Sequence, residues 1–247
     1  MMFPNWLRQL RRRYIVLPAI HRTYGALTVQ EAFQKVYRSK AWGSGAAEFC
    51  SGSGSIGPAS AQYCDAVIGF IQAHNVRSVV DLGCGDYSVG KRIVESTNVQ
   101  YIGVDVVPEL IEYHRRNVKN DRVTFRCADI ISDPLPSADL YLIRQVLQHL
   151  SNDEINRVLA NIGKFSRVLV SEDVPIRPKS FNRDKPHGPD VRAYYGSGVY
   201  LEKPPFSRPT KELWTFELRT DAILRVVLLE SPESVSQLHS PGMELSS

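Results

Sequence analysis

The stretch SVVDLGCGDYSVG, Ser78 to Gly90, ends a β-branched run in an acid, Asp81, and follows it with Gly83, Cys84 and Gly85. A strand that gives way to a helix through such glycines lets a ligand approach main-chain N–H groups that side chains would otherwise cover. Twenty positions beyond Gly85, Asp105 closes the run YIGVDV, where a carboxylate at a strand end can accept both hydroxyls of a ribose. Asp129 closes the next run, VTFRCADI, so three acids at three successive strand ends outline one edge of a nucleotide-type site. Two imidazoles, His149 in RQVLQHLS and His187 in the long loop after residue 173, can take a hydroxyl proton near neutral pH. Arg144 can hold an acidic group of a substrate or pair with Asp81.

Apolar, β-rich runs at 78–82, 99–104, 123–127, 140–143 and 167–171 carry these residues, with helix-length amphipathic stretches between them. That alternation predicts a parallel sheet covered on both faces. The helix after the fourth run is marked by Ser151 and Glu154 at capping-box spacing, by the stripe Ile155, Val158, Leu159 and Ile162, and by Gly163 as its stop. ELWTFEL and ILRVVLLE, joined by RTDA, read as a closing hairpin. Upstream, 26–41 and 59–73 read as helices, and the Gly/Ser-rich WGSGAAEFCSGSGSIGP lies between them. Trp42, Phe49 and Ile56 are costly to leave in a solvated linker, so this segment is expected to fold over a ligand. The expected division is 1–58 as basic arm, helix and covering loop, 59–230 as the main domain with an acceptor loop over 173–210, and 231–247 as a frayed tail.

A length of 247 residues suits one large α/β domain with appendages, and 43% hydrophobic with 23% charged residues excludes a disordered or fibrous chain. No apolar run approaches the ~18 to 20 residues that a membrane-spanning helix needs. The net charge of +4 is unevenly placed: Arg8, Arg11, Arg12, Arg13, Arg22, Lys35, Arg38 and Lys40 face only Glu31 in the first forty residues. NWLRQLRRRYIVL can lie on an acidic membrane surface through Trp6, Leu7, Leu10, Ile15 and Leu17, or pack on the domain as a solvated helix or strand that Pro18 breaks. It has no small-residue cleavage site after a clean apolar core, so no cleaved signal peptide is expected. Cys50, Cys64, Cys84 and Cys127 form no C-x-x-C pair, which points to reduced thiols in a cytoplasmic protein, peripheral to a membrane at most. Beyond the N-terminus the basic residues are not interleaved with stacking aromatics, so nucleic acid is not the expected partner. The sequence leaves the oligomeric state open.

The pattern D-x-G-x-G, Asp81 to Gly85, resembles the first motif of class I S-adenosylmethionine-dependent methyltransferases. A dinucleotide fingerprint would need glycine at position 88, where the chain has Ser88, and the third glycine usual in the methyltransferases is Tyr87 here. The likeness continues through ADLYLIRQVLQHL to about Ser171. It implies an α/β, Rossmann-like, doubly wound and mostly parallel seven-stranded sheet with an antiparallel C-terminal hairpin, and S-adenosylmethionine as cofactor. It further implies Asp81, Gly83, Cys84 and Gly85 under the methionine end, Asp105 and Val106 at the ribose, and Asp129 and Ile130 at the adenine. Arg144 falls at the mouth of the site, in reach of cofactor or acceptor, and His149 falls where this class puts acceptor-side residues.

The expected reaction is therefore in-line methyl transfer to a hydroxyl of a small polar molecule or glycan, with His149 as base, His187 as second candidate and Arg144 at the acceptor. The loop FNRDKPHGPDVRAYYGSGVYLEKPPF mixes Asn182, Asp184, Asp190 and Arg192 with Tyr194, Tyr195, Tyr200 and Phe206, which suits a hydroxyl-bearing acceptor with an apolar face. The chain also loosely resembles bacterial methyltransferases of sugar and polysaccharide modification. Metal-dependent O-methyltransferases place carboxylates at the end of the fourth strand, where this chain has Arg144 and Gln145, so no obligatory metal is expected. Three alternatives stay open: N-methylation of a small molecule or protein, a nicotinamide-dependent oxidoreductase, and a silent binding module, in whose favour Tyr87 stands.

Overall fold

A computed structural model describes residues 11–43, 48–163, 165 and 167–229. The sheet-forming runs become β1 (Ser78–Leu82), β2 (Gln100–Asp105), β3 (Val123–Cys127), β4 (Leu140–Arg144), β5 (Val168–Pro175), β6 (Thr210–Arg219) and β7 (Ala222–Leu229). The helices are α1 (Leu17–Tyr24), α2 (Val29–Arg38), α3 (Pro58–Ala73), α4 (Ser88–Ser96), α5 (Pro108–Asn117) and α6 (Asn152–Ile162). The seven strands form one sheet in the order β3-β2-β1-β4-β5-β7-β6. The first five strands run parallel, whereas β7 is antiparallel to both β5 and β6.

Side chains alternate across a strand, so each strand feeds two cores. Val80, Leu82, Tyr141 and Ile143 pack on one face with α2 and α6, while Val79, Leu140 and Leu142 pack on the other with α3 and α4. Burial on both sides explains why β1 and β4 read as continuous apolar runs. The strand order reverses between β1 and β4, and in open parallel sheets a crevice forms at the carboxyl ends beside such a reversal.

Three expectations about elements need correction. The stretch 128–139 between β3 and β4 holds no helix; it turns at Asp129–Asp133 and then passes Pro134 and Pro136, neither of which offers an N–H. Pro18 does not break the N-terminal segment. A π-helical turn over Arg12–Val16 runs into α1, and its wider i to i+5 bonding, from Leu17 N–H to the Arg12 carbonyl, places proline in a first turn that tolerates it. The expected 26–41 helix is shorter: Thr28 and Glu31 form a reciprocal capping box that starts α2, and left-handed Lys40 lies beyond its end. Ser151 and Glu154 cap α6 in the same way. All four cysteines are free, and no helix among the described residues is long and apolar enough to cross a membrane. Trp6, Leu7 and Leu10 of the arm, and the tail from 231, lie outside the described residues.

Candidate active site

The carboxyl ends of the parallel strands open into a cavity of about 890 Å³ whose wall includes Asp81, Gly83, Gly85, Asp105, Asp129 and Ile130. Cys84, Val106 and Arg144 also face it. Gly83 has φ +85, and a Cβ there would stand 2.4 Å from Val146 Cγ2. Gly85 has φ +52, with Ser51 Oγ 2.3 Å from any added Cβ. Only glycine fits this bend.

Tyr87, the departure from the expected glycine, takes the left-handed backbone that glycine would adopt, φ 64. Its ring packs 5.1 Å from Phe125 and 5.4 Å from Tyr101, so buried aromatic contact offsets the backbone cost.

Asp81 is buried and accepts a 2.7 Å bond from the Tyr101 hydroxyl. Burial pushes its pKa up to about 6, with the Tyr101 bond and Arg144 pulling the other way. Asp105 accepts N–H bonds from Gly85 at 3.2 Å and Val107 at 3.1 Å, and burial raises it to about 6 as well. Asp129 accepts the Ile131 N–H at 2.9 Å. Each carboxylate is thus fixed, Asp81 and Asp105 in part by the neighbouring strand or its loop and Asp129 by its own turn, and keeps lone pairs for a ligand.

The other half of the cavity lies over β4 and β5. Gln145, with φ 55, turns the chain out of β4 into a short 3-10 turn, Leu147–His149. Buried Glu172 on β5 holds that turn by accepting N–H bonds from Val146, Leu147 and Gln148 at 3.2, 2.8 and 3.2 Å. Burial pushes Glu172 up to about 8 against those bonds. His149 Nδ1 donates to the Gly188 carbonyl at 3.2 Å, and Gly188 N–H donates back to the His149 carbonyl at 3.0 Å. Because a carbonyl can only accept, the neutral ring carries its proton on Nδ1 and leaves Nε2 as an acceptor. Burial first, then the Lys185 ammonium, lower the His149 pKa to about 4. The imidazole lies 5.0 Å from the Trp42 ring and 6.3 Å from Phe33, and all three line the cavity.

The segment after α2 closes the site as a wall. Ser51 exchanges two bonds with Asp86, Ser51 N–H to Asp86 Oδ2 at 2.9 Å and Asp86 N–H to Ser51 Oγ at 2.8 Å, and the Tyr37 hydroxyl lies 3.2 Å from the same Oγ. Arg144 donates to the Gly54 carbonyl and lies 5.0 Å from the Tyr63 ring. It ties this wall to β4 instead of pairing with Asp81. Trp42 and Phe49 pack on the core, whereas Ile56 is exposed.

His187 is not in the cavity. Its Nδ1 donates to Glu154 at 2.7 Å and its Nε2 to the Leu27 carbonyl at 3.0 Å, so both ring nitrogens are occupied. The Glu154 bond raises the His187 pKa; against the cost of burial, bonds from His187 and Ser151 bring Glu154 down to about 2. Several of the loop's other polar side chains are also taken up by main-chain groups, because a long loop must satisfy its own backbone. Asn182 bonds the Tyr200 and Pro204 carbonyls, Asp184 accepts the Asn152 N–H, and fully buried Arg192 donates to the carbonyls of Leu150 and Arg183. The loop lines the cavity with Pro189, Val191 and Tyr194. Sequence reasoning missed Glu172, Ser51 and Asp86, none of which sits in a local pattern that marks it. Among the described residues no group of three His, Cys, Asp or Glu side chains can hold a metal.

Residues 79–169 match the family model of the methyltransferase domain. Comparison with curated proteins gave no match. Among solved structures, human N-acetylserotonin methyltransferase in complex with S-adenosylmethionine is similar with a TM-score of 0.54 at 15% identity, over 92% of this chain. This chain spans 66% of that protein's length. Magnesium protoporphyrin IX methyltransferase from Synechocystis PCC 6803, with bound S-adenosylhomocysteine, gives 0.53 at 15% identity over 82% of this chain and 98% of that one. The N-methyltransferase NodS from Bradyrhizobium japonicum WM9, in complex with S-adenosylhomocysteine, gives 0.51 at 13% identity over 70% of this chain and 88% of that one. Residues 79–169 are thus matched as a methyltransferase domain, and the 3-2-1-4-5-7-6 sheet that contains them has the Rossmann-like fold of these S-adenosylmethionine- and S-adenosylhomocysteine-bound structures.

Proposed function

We propose that the chain transfers the methyl group of S-adenosylmethionine to a hydroxyl of a small molecule, with His149 as base. The observation that carries this reading is one cavity that holds both the acid-lined strand ends and an imidazole whose Nε2 is left as a proton acceptor. The cofactor fits the residues present: Gly83 and Gly85 keep the backbone open, and two buried carboxylates, Asp81 and Asp105, suit a ligand that brings hydroxyls and positive charge. Asp81, Gly83, Cys84 and Gly85 would hold its methionine end, Asp105 and Val106 its ribose, and Asp129 and Ile130 its adenine. Bound there, S-adenosylmethionine supplies an activated methyl group.

The chain's own work is then orientation and proton removal. Phe33, Trp42, Val191 and Tyr194 offer an apolar, largely aromatic wall to the acceptor, and Gln148 and His149 supply its polar contacts. His149 Nε2 takes the hydroxyl proton. An imidazole with a pKa near 4 is always in its base form at neutral pH, but it is a weak base. It therefore suits an acidic hydroxyl, such as a phenol, better than an aliphatic alcohol. A sugar hydroxyl remains within the reading and is the harder acceptor.

The test is S-adenosylhomocysteine formation from S-adenosylmethionine with matched phenols and hydroxylated sugars, by wild type and His149→Ala. The variant is expected to lose about 100-fold or more in turnover, with cofactor affinity within a few-fold. Turnover of the wild type should rise as pH rises through about 4 and stay level above it. Unchanged turnover in the variant would remove His149 from the mechanism, and a wild type that turns over none of these hydroxyls would favour an amine acceptor, which needs no base.

A further inference from the structure

Among the described residues six large hydrophobic side chains stand exposed, and five of them fall on two segments, Tyr14 and Ile15 near the N-terminus and Ile176, Phe181 and Tyr194 in the loop after β5. The same segments and the adjoining turn carry exposed Arg11, Arg12, Arg177, Lys179, Arg183 and Lys203. None of these six cations makes an ion pair among the described residues.

The fold brings the two segments together at Tyr194. The Arg12 guanidinium lies 4.1 Å over the Tyr194 ring, Arg183 lies 5.0 Å over Tyr195, and Lys203 lies 5.7 Å over Phe181. Lys179 donates its N–H to the Gly196 carbonyl at 2.7 Å, and its side chain rests against Gly196. The neighbouring acids are engaged elsewhere: Asp184 accepts the N–H groups of Asn152 and Lys185, and Glu202 pairs with Arg225. Tyr194 belongs both to this face and to the cavity wall.

We propose that this face seats the protein on an anionic lipid surface. Cations interleaved with Tyr, Phe and Ile match what a lipid interface offers, negative headgroups above an apolar layer. Nucleic acid fits less well: stacking needs open ring faces, and Arg12, Arg183 and Lys203 already lie over Tyr194, Tyr195 and Phe181. Ile15 and Ile176 offer a base nothing to stack on. Seated this way, the cavity opens beside the membrane at Tyr194, which suits an acceptor that partitions there. The docking itself does not rest on the identity of the acceptor.

The experiment is flotation of the full chain with vesicles of phosphatidylcholine plus phosphatidylglycerol, and of phosphatidylcholine alone. A single-stranded RNA oligonucleotide is measured in parallel by fluorescence anisotropy. Binding is expected on the anionic vesicles, weakening with salt, and at least about tenfold lower on neutral vesicles and for Lys179→Glu with Arg183→Glu. Phe181→Ser should weaken binding without changing its salt dependence. Thermal shift with S-adenosylhomocysteine confirms that the variants are folded. Wild type that stays off anionic vesicles, or a double variant that binds them as wild type does, would overturn the proposal. RNA binding that the double variant loses, with vesicles unbound, would reassign the face.

Discussion

The two halves of the cavity are built differently. The half proposed for the donor comes from the ends of β1, β2 and β3 and the turns that follow them, and its acids are bonded within that one strip of adjacent strand ends: Asp81 to Tyr101, Asp105 to Gly85 and Val107, Asp129 to Ile131. The acceptor half draws on α2, the turn after β4, buried Glu172 and the loop at 188–194, segments more than 150 residues apart at their extremes. Charge differs as well. The donor half leaves Asp81 and Asp105 buried without an ion pair among the described residues, whereas the packing behind the acceptor half, outside the cavity, buries Lys185 against Asp190 and His187 against Glu154. A site that must receive a cationic, hydroxyl-bearing cofactor keeps its carboxylates open; a site that must hold a shape cancels its charges internally.

If the donor half works through open carboxylates, removing one should cost cofactor affinity beyond the stability lost with its own N–H bonds. Asp105→Ala is expected to weaken S-adenosylhomocysteine binding by about 1 to 3 kcal/mol, or roughly 5- to 150-fold, because the ribose hydroxyls lose a charged acceptor. Calorimetry at several pH values sharpens the point. Asp105 is raised to about 6, so wild-type affinity should fall as pH drops through that value while the variant loses this part of the dependence. Unaltered affinity would place the ribose elsewhere.

The acceptor half should break differently, through geometry. Glu172→Ala strips the turn at 146–148 of three hydrogen bonds and should cost about 1 to 3 kcal/mol of stability. The more telling readout is the His149 imidazole by NMR. Its pKa near 4 depends on burial, so a loosened turn that admits water should bring it up toward the ordinary value of ~6.5. Glu172→Gln keeps a carbonyl oxygen for Val146 and Leu147 and should restore most of the shift. Cofactor affinity should stay within a few-fold in both. A His149 titration unmoved by Glu172→Ala would show that the clamp with Gly188 holds the ring alone.

This contrast explains what could be read from the sequence. β1, β3, the capping box at Ser151 and the acids at strand ends were all legible, because each is a local pattern of a few residues. The residues proposed to hold the donor fall on those elements once the sheet is parallel. The acceptor half was not legible, since nothing near Glu172 or Ser51 announces a partner 24 to 35 positions away. Composition misled in the loop, where Asn182, Asp184, His187 and Arg192 looked like contacts for a polar acceptor. Folding a long loop leaves many buried main-chain groups to satisfy, and these side chains do that. The absent helix at 128–139 is a similar lesson: length and amphipathy suggested it, and the prolines at 134 and 136 overrode both.

His187 offers the smallest effect and a direct check that its role is to brace. Both its nitrogens face groups that only accept, Glu154 and the Leu27 carbonyl, so the ring is doubly protonated and joins α6 to the start of α2. With the His187 pKa raised, its contribution is full below the ordinary ~6.5 and is lost as pH rises through the raised value. Glu154, lowered to about 2, contributes fully above its ordinary range near 4.5 and loses that only in strong acid. The pair therefore works best between about 4.5 and 6.5. His187→Ala should lower stability by about 1 to 2 kcal/mol near pH 6, and thermal melts should show that gap narrowing by pH 9. Turnover of the folded variant should be close to wild type, because the ring never reaches the cavity. An equal gap at both pH values would mean a neutral ring, and a large loss of turnover would return His187 to the acceptor site.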